Sequence, residues 1–139
     1  MGKHLAVGES VGPLPVHSAS YYNPTGVVLD RGATYEIAAD ETRWLDWHLA
    51  SSADGREQPS LAQLMVQWAL RCKAGRWFQL IGAVGRSDDY LFPIGMHVRW
   101  TYAGQADDPA PELHLLANDA WFAYFNNHGS VNVTITRMV

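Results

Sequence analysis

Asn118 and Asp119 close an apolar run, Leu115-Leu116-Ala117, and Asn126 and Asn127 arrive together after a short aromatic loop. One carboxylate and neighbouring carboxamides supply side-chain oxygens. Hard cations such as calcium select that chemistry, taking carboxylate, amide and backbone carbonyl oxygens together. The same residue types are common turn formers that bond their own backbone, so spacing alone favours a plain loop. Other candidates are thinner. Asp46 and His48 read as a solvated loop pair, Asp54-Gly55 as a turn, and Asp107-Asp108-Pro109-Ala110-Pro111 as another turn. No nucleophile elbow, His-Glu metal motif or phosphate-binding glycine loop occurs in the sequence. The chain is therefore read as a binding protein and not an enzyme.

Strands must position these groups. Val131-Asn132-Val133-Thr134-Ile135-Thr136 alternates apolar and polar, the period of a half-buried strand, and Glu112 to Ala117 enters the loop from the other side. Val27-Val28-Leu29, an Asp30-Arg31-Gly32 turn and Thr34-Tyr35-Glu36-Ile37-Ala38 read as strand, turn, strand. Arg76 to Gly85 reads as a buried strand, and a lead-in from Tyr90 to Ile94 precedes the alternating Met96 to Tyr102. Residues 7–23, rich in Gly, Pro and Ser, predict an extended arm with one short strand. Residues 40–58 form the least regular part and so a functional loop. Ser60 and Gln63 have the spacing of a capping box, and Leu61, Leu64, Met65, Trp68 and Ala69 follow at helical spacing. That spacing predicts a helix within 60–73 whose apolar face, with Met65 and Trp68, belongs to the core. The pattern of roughly six to eight strands with one short helix predicts an all-β fold, an antiparallel β-sandwich in a single domain over 1–139.

The end of the chain resembles the PA-I type galactophilic lectins, small calcium-dependent bacterial β-sandwich proteins of jelly-roll-like, galactose-binding-like form. The resemblance rests on Asn118-Asp119, Tyr124, Asn126-Asn127-His128-Gly129-Ser130 and the strand from Val131, which match without a gap. It covers roughly residue 27 to the C-terminus and is weak over 40–71. It implies calcium as cofactor, with Asp119 as carboxylate ligand and Asn126 and Asn127 giving side-chain oxygens. Ala123 would give a backbone carbonyl in place of the usual Thr, without its hydroxyl. A further carbonyl would come from Trp44 or Leu45. Gln58 stands where the family places a sugar-contacting His, within a similar Asp54-Gly55-Arg56-Glu57-Gln58-Pro59 stretch. Trp44, Trp47, Trp121 and Phe122 are the candidates for an aromatic wall against the sugar. The implied ligand is galactose or a galactoside whose hydroxyls complete the metal shell. Asp119 and Asn126 would touch both ion and sugar.

Composition sets the outer limits. With 139 residues, 47% apolar and 17% charged, the chain can bury a core. A net charge of −4 without a basic block argues against nucleic acid as a partner. Cys72 is the only cysteine, which excludes an intrachain disulfide. No stretch is long and apolar enough for membrane insertion, and the N-terminus lacks the apolar run of a secretory signal, so the chain is read as soluble. A homo-oligomer is compatible with all of this. The alternative reading is a non-catalytic sandwich with a structural or protein-interaction role and no sugar site.

Overall fold

A computed structural model describes residues 2–139. The chain begins with strands β1 (Lys3–His4), β2 (Ser10–His17), β3 (Asn23–Val28) and β4 (Thr34–Ala39). Two short strands, β5 (Trp44–Asp46) and β6 (Leu49–Ser51), precede helix α1 (Leu61–Met65). Then come β7 (Leu80–Val84), β8 (Leu91–Pro93), β9 (His97–Thr101), β10 (Glu112–Ala117), β11 (Asn127–His128) and β12 (Ser130–Arg137). One sheet has five strands in the order β1-β3-β10-β7-β8, and the opposing sheet has four, β2-β12-β4-β9. A third sheet of three short strands, β11-β5-β6, lies at the end that carries the Asn-Asp motif. Apart from the parallel pair β1 and β3, all pairings are antiparallel. The expected antiparallel sandwich is the fold.

The core between the two large sheets follows from the alternation. Val131, Val133 and Ile135 of β12 and Tyr35 and Ile37 of β4 turn inward to meet Val27, Leu80, Leu113 and Leu115. Strands β7 and β10 are buried along nearly their whole length because their outer face is covered as well. There Ile81, Ala83 and Leu116 pack with Cys72 under Tyr22 and Leu91. Double burial explains why these segments read as continuous apolar runs instead of alternating ones. Among the described residues no helix is long and apolar enough to cross a membrane.

Two expectations are corrected. The Pro-rich arm is an eight-residue strand, β2, paired along β12. It accommodates Pro13 and Pro15 because it is the edge of its sheet, where a missing N–H costs no ladder bond. Helix α1 starts as predicted: Ser60 Oγ accepts from Gln63 N at 3.2 Å and Gln63 Oε1 accepts from Ser60 N at 2.9 Å. It stops at Met65, however, followed by one 3-10 turn over Gln67–Ala69. Leu61, Leu64, Met65 and Trp68 are then exposed, so Met65 and Trp68 are not core. The helix ends early because the backbone beyond it has other partners. Arg71 N donates to Asp119 O at 3.1 Å and Trp121 N to Ala69 O at 3.1 Å, drawing 69–71 into an extended pairing with 119–121. Tertiary hydrogen bonds override local helical preference here.

The loop after that pairing is held by one side chain. Asn118 is wholly buried; its Oδ1 accepts from Cys72 N at 3.0 Å, and its Nδ2 donates to Cys72 O and Arg76 O, both at 2.9 Å. Asn118→Ala strands these buried backbone groups and should lower the unfolding free energy by about 3 kcal/mol. The measurement is a urea titration, with the midpoint falling at an unchanged m value. A loss under about 1 kcal/mol would mean that other contacts hold the 72–76 loop.

Candidate metal and ligand site

The three-stranded sheet, helix α1 and the loop after β10 line an open cavity of about 160 Å³ whose walls include Asp46, Trp47, Gln63, Asp119, Ala123 and Asn126. Each acidic or amide group reaches it for a local reason. Asp119 follows β10 directly, is 1% exposed, and uses Oδ1 to accept from Ala120 N at 2.8 Å. Asn126 ends a 3-10 turn, Tyr124–Asn126. That turn is anchored by Tyr124, whose hydroxyl donates to Ala117 O at 2.5 Å and accepts from Arg71 Nη1 at 3.0 Å. Asn127 opens β11, and its Nδ2 donates to Ser18 O at 2.9 Å. That bond sets which end of the carboxamide is oxygen and which is nitrogen.

Three buried oxygens remain without a partner: Asp119 Oδ2, Asn126 Oδ1 and Asn127 Oδ1. Buried polar atoms are nearly always satisfied, and leaving one bare costs about 1–3 kcal/mol. Asp119 and Asn126 share the cavity wall and Asn127 follows Asn126 directly, so all three bare acceptors belong to one end of the sandwich. Among the described residues no three His, Cys, Asp or Glu side chains come together. The donor set is thus carboxylate and amide oxygen, which suits calcium and not a soft transition metal. These residues fit a calcium ion.

Charge and backbone geometry agree. Burial first, and then the Asp46 charge, push the Asp119 carboxyl up to about 7, against the opposing pull of the nearby Asn127 amide and of the Ala120 N–H. Trp47 adopts a left-handed φ of 56° and donates its N–H to Asn126 O at 3.0 Å. A bulky residue in that region is strained, and such strain clusters at binding sites.

Of the residues expected at the site, the structure brings Asp119, Ala123, Asn126 and Trp47 to the cavity wall, with Asn127 beside Asp119. Trp44 is not there. It is fully buried in the core, where its indole donates to Phe78 O at 3.0 Å, while Trp47, next to β5, reaches the cavity. Gln58 lines a separate open cleft with Arg43, Ser52 and Arg56, across strand β6. Gly55 shapes that cleft with a φ of 81°, where a Cβ would meet Trp77 O at 2.7 Å. Trp121 is exposed and packs edge-on against Phe122, away from the cavity wall. Asp46 and Gln63 also line the cavity, although the sequence reads Asp46 as one of a solvated loop pair and Gln63 only as part of a helix cap. Asp46 is half-buried in the wall, where Gln63 Nε2 donates to its Oδ2 at 2.8 Å.

Among solved structures, the chain is similar to a domain described as "EclA N-terminal domain; PllA-like lectin", with a TM-score of 0.60 and 22% identity. The likeness covers 92% of this chain and 94% of that one, and at this identity it establishes the fold. No protein-family model matches the chain. No curated protein matches it either.

The raised Asp119 carboxyl carries a pH dependence. Between about pH 4 and 7 the ion-free native state binds a proton that the unfolded chain releases, so stability falls as pH rises through that window and levels off above it. Lowering the pH from about 7.5 to 5.5 in chelator should stabilise the protein by about 2 kcal/mol relative to Asp119→Asn. Thermal melts of both proteins across that range check it, and parallel curves would refute it.

Proposed function

We propose that the chain is a calcium-dependent carbohydrate-binding protein, lectin-like and non-catalytic, that takes galactose or galactosides. The observation that carries this reading is the set of unpartnered buried oxygens on Asp119, Asn126 and Asn127. These are the side chains that the resemblance to the galactophilic lectins nominates as ligands, and the likeness to a domain described as a lectin supports the same reading. In it, Asp119 contributes the formal charge, the two Asn oxygens complete the side-chain set, and Ala123, which lines the same cavity, supplies its backbone carbonyl.

When bound, calcium has six to eight coordination places, more than these groups fill, and it attracts the vicinal hydroxyls of a sugar ring. Trp47, 66% exposed at the cavity rim, gives the apolar face of that ring a wall to lie against. Ala123 in place of a Thr removes a hydroxyl contact worth on the order of 1 kcal/mol, which weakens the site without abolishing it. The other reading, a protein-interaction domain without sugar, is favoured by one feature: Leu61, Leu64, Met65 and Trp68 stand exposed, and Trp68 packs near the exposed Phe122.

Calorimetric titration with a methyl galactoside, first with calcium and then with chelator, separates the two readings. The expected result is binding with calcium only, and calcium near a hundred times its Kd should raise stability by about 2.7 kcal/mol. Asp119→Asn should weaken calcium binding at least tenfold. Calcium binding without response to any sugar would favour the interaction role.

A further inference from the structure

The cavity holds a second carboxylate that the lectin-like motif does not account for. Asp46 lies in β5, directly opposite Asn127 of β11 in the antiparallel register. Opposed residues in such a pair send their side chains to the same face, with Cβ atoms about 4.5–5.5 Å apart. Asp46 therefore stands beside the unpartnered Asn127 Oδ1, and it shares the cavity wall with the 1%-exposed Asp119, whose Oδ2 also lacks a partner. No Lys, Arg or His forms an ion pair with Asp46 or Asp119 among the described residues. Two carboxylates therefore face one cavity with no protein counter-charge.

Asp46 is also held in place. Gln63, the buried residue of α1, uses its Oε1 to close the capping box on Ser60 N and its Nε2 to donate to Asp46 Oδ2. The other oxygen, Oδ1, takes no hydrogen bond from the described residues. A solvated carboxylate needs no such arrangement. One that must keep an oxygen aimed at a cation beside Asn127 and Asp119 does.

We infer that Asp46 is a second carboxylate of the same cation site, so that the ion sits between Asp46, Asp119, Asn126 and Asn127. This rests on the calcium reading above and extends it. Site charge is one of the main determinants of calcium affinity, so a two-carboxylate site should bind more tightly than one built on Asp119 alone. The second charge comes from strand β5, far from the Asn-Asp motif in sequence.

Calorimetry with calcium alone, on the full chain without sugar, tests it. Asp46→Asn keeps the shape and should raise the calcium Kd at least tenfold, while its melting temperature in chelator stays at or above that of the parent because a like-charge repulsion is gone. Glu57→Gln removes the same charge from the exposed neighbouring loop and should leave the Kd within twofold. If the parent binds calcium and Asp119→Asn does not, but Asp46→Asn binds within twofold of the parent, Asp46 is no ligand and the inference is overturned. An equal loss in Glu57→Gln would overturn it too, because the effect would then be general charge. No calcium binding by the parent would remove the calcium reading itself, and this inference with it.

Discussion

The Asn118 carboxamide is the tie on which the functional end of this sandwich depends. β10 is buried along almost its whole length, and where it ends the chain must turn through the interior without leaving peptide groups bare. Asn118 meets that constraint by acting as a substitute peptide group. It accepts from one backbone N–H and donates to two carbonyls of the 72–76 loop. Its own backbone joins in, accepting from Phe78 N at 2.7 Å and donating to Gln79 O at 3.0 Å. Asp119 is the next residue, so the position of its carboxylate is set through these buried hydrogen bonds.

A second set of contacts fixes the far side of the loop. Arg71 forms two hydrogen bonds with Asp88, at 3.0 and 2.6 Å, lies 3.5 Å over the Tyr21 ring, and bonds the Tyr124 hydroxyl. A guanidinium with planar partners on several sides loses little further entropy when a neighbouring group binds something. Against this frame, the unpartnered oxygens of Asp119, Asn126 and Asn127 represent local destabilisation retained within a fold of the kind whose total stability is about 5–15 kcal/mol. Preorganised acceptors of that kind favour an incoming cation because no rearrangement has to precede binding.

Much of this was readable in advance, and the rest was not for definite reasons. β12 and β4 were legible because one face is buried and the other is not, so the period of two survives in the sequence. The Ser60–Gln63 capping box was legible because it is a local bond pair. The helix length was not, since it is set by hydrogen bonds from 69–71 to residues some fifty positions away. The exposure of Met65 and Trp68 followed from that truncation. Asp46 read only as one of a solvated loop pair because its neighbour Asn127 is brought to it by pairing of strands about eighty residues apart, which no spacing rule records. Trp44 and Trp47 differ by three positions, yet one is core and the other lies at the cavity rim. Trp44 lies in strand β5 and Trp47 in the turn that follows it at a φ of 56°, and a sequence does not display backbone angles.

Cys72 sits against Ile81 and Leu116 on the covered face, 4% exposed, and burial raises its thiol pKa further from neutrality. Its backbone N–H and carbonyl are the groups that Asn118 holds. Burial thus disfavours the thiolate that alkylating reagents attack and shields it from them while the 72–76 loop is held by Asn118. The protein consequently carries its own clock for local opening. The rate at which this single thiol reacts, compared with that of a free cysteine, would read out how often the end of the sandwich that bears Asp119 comes apart.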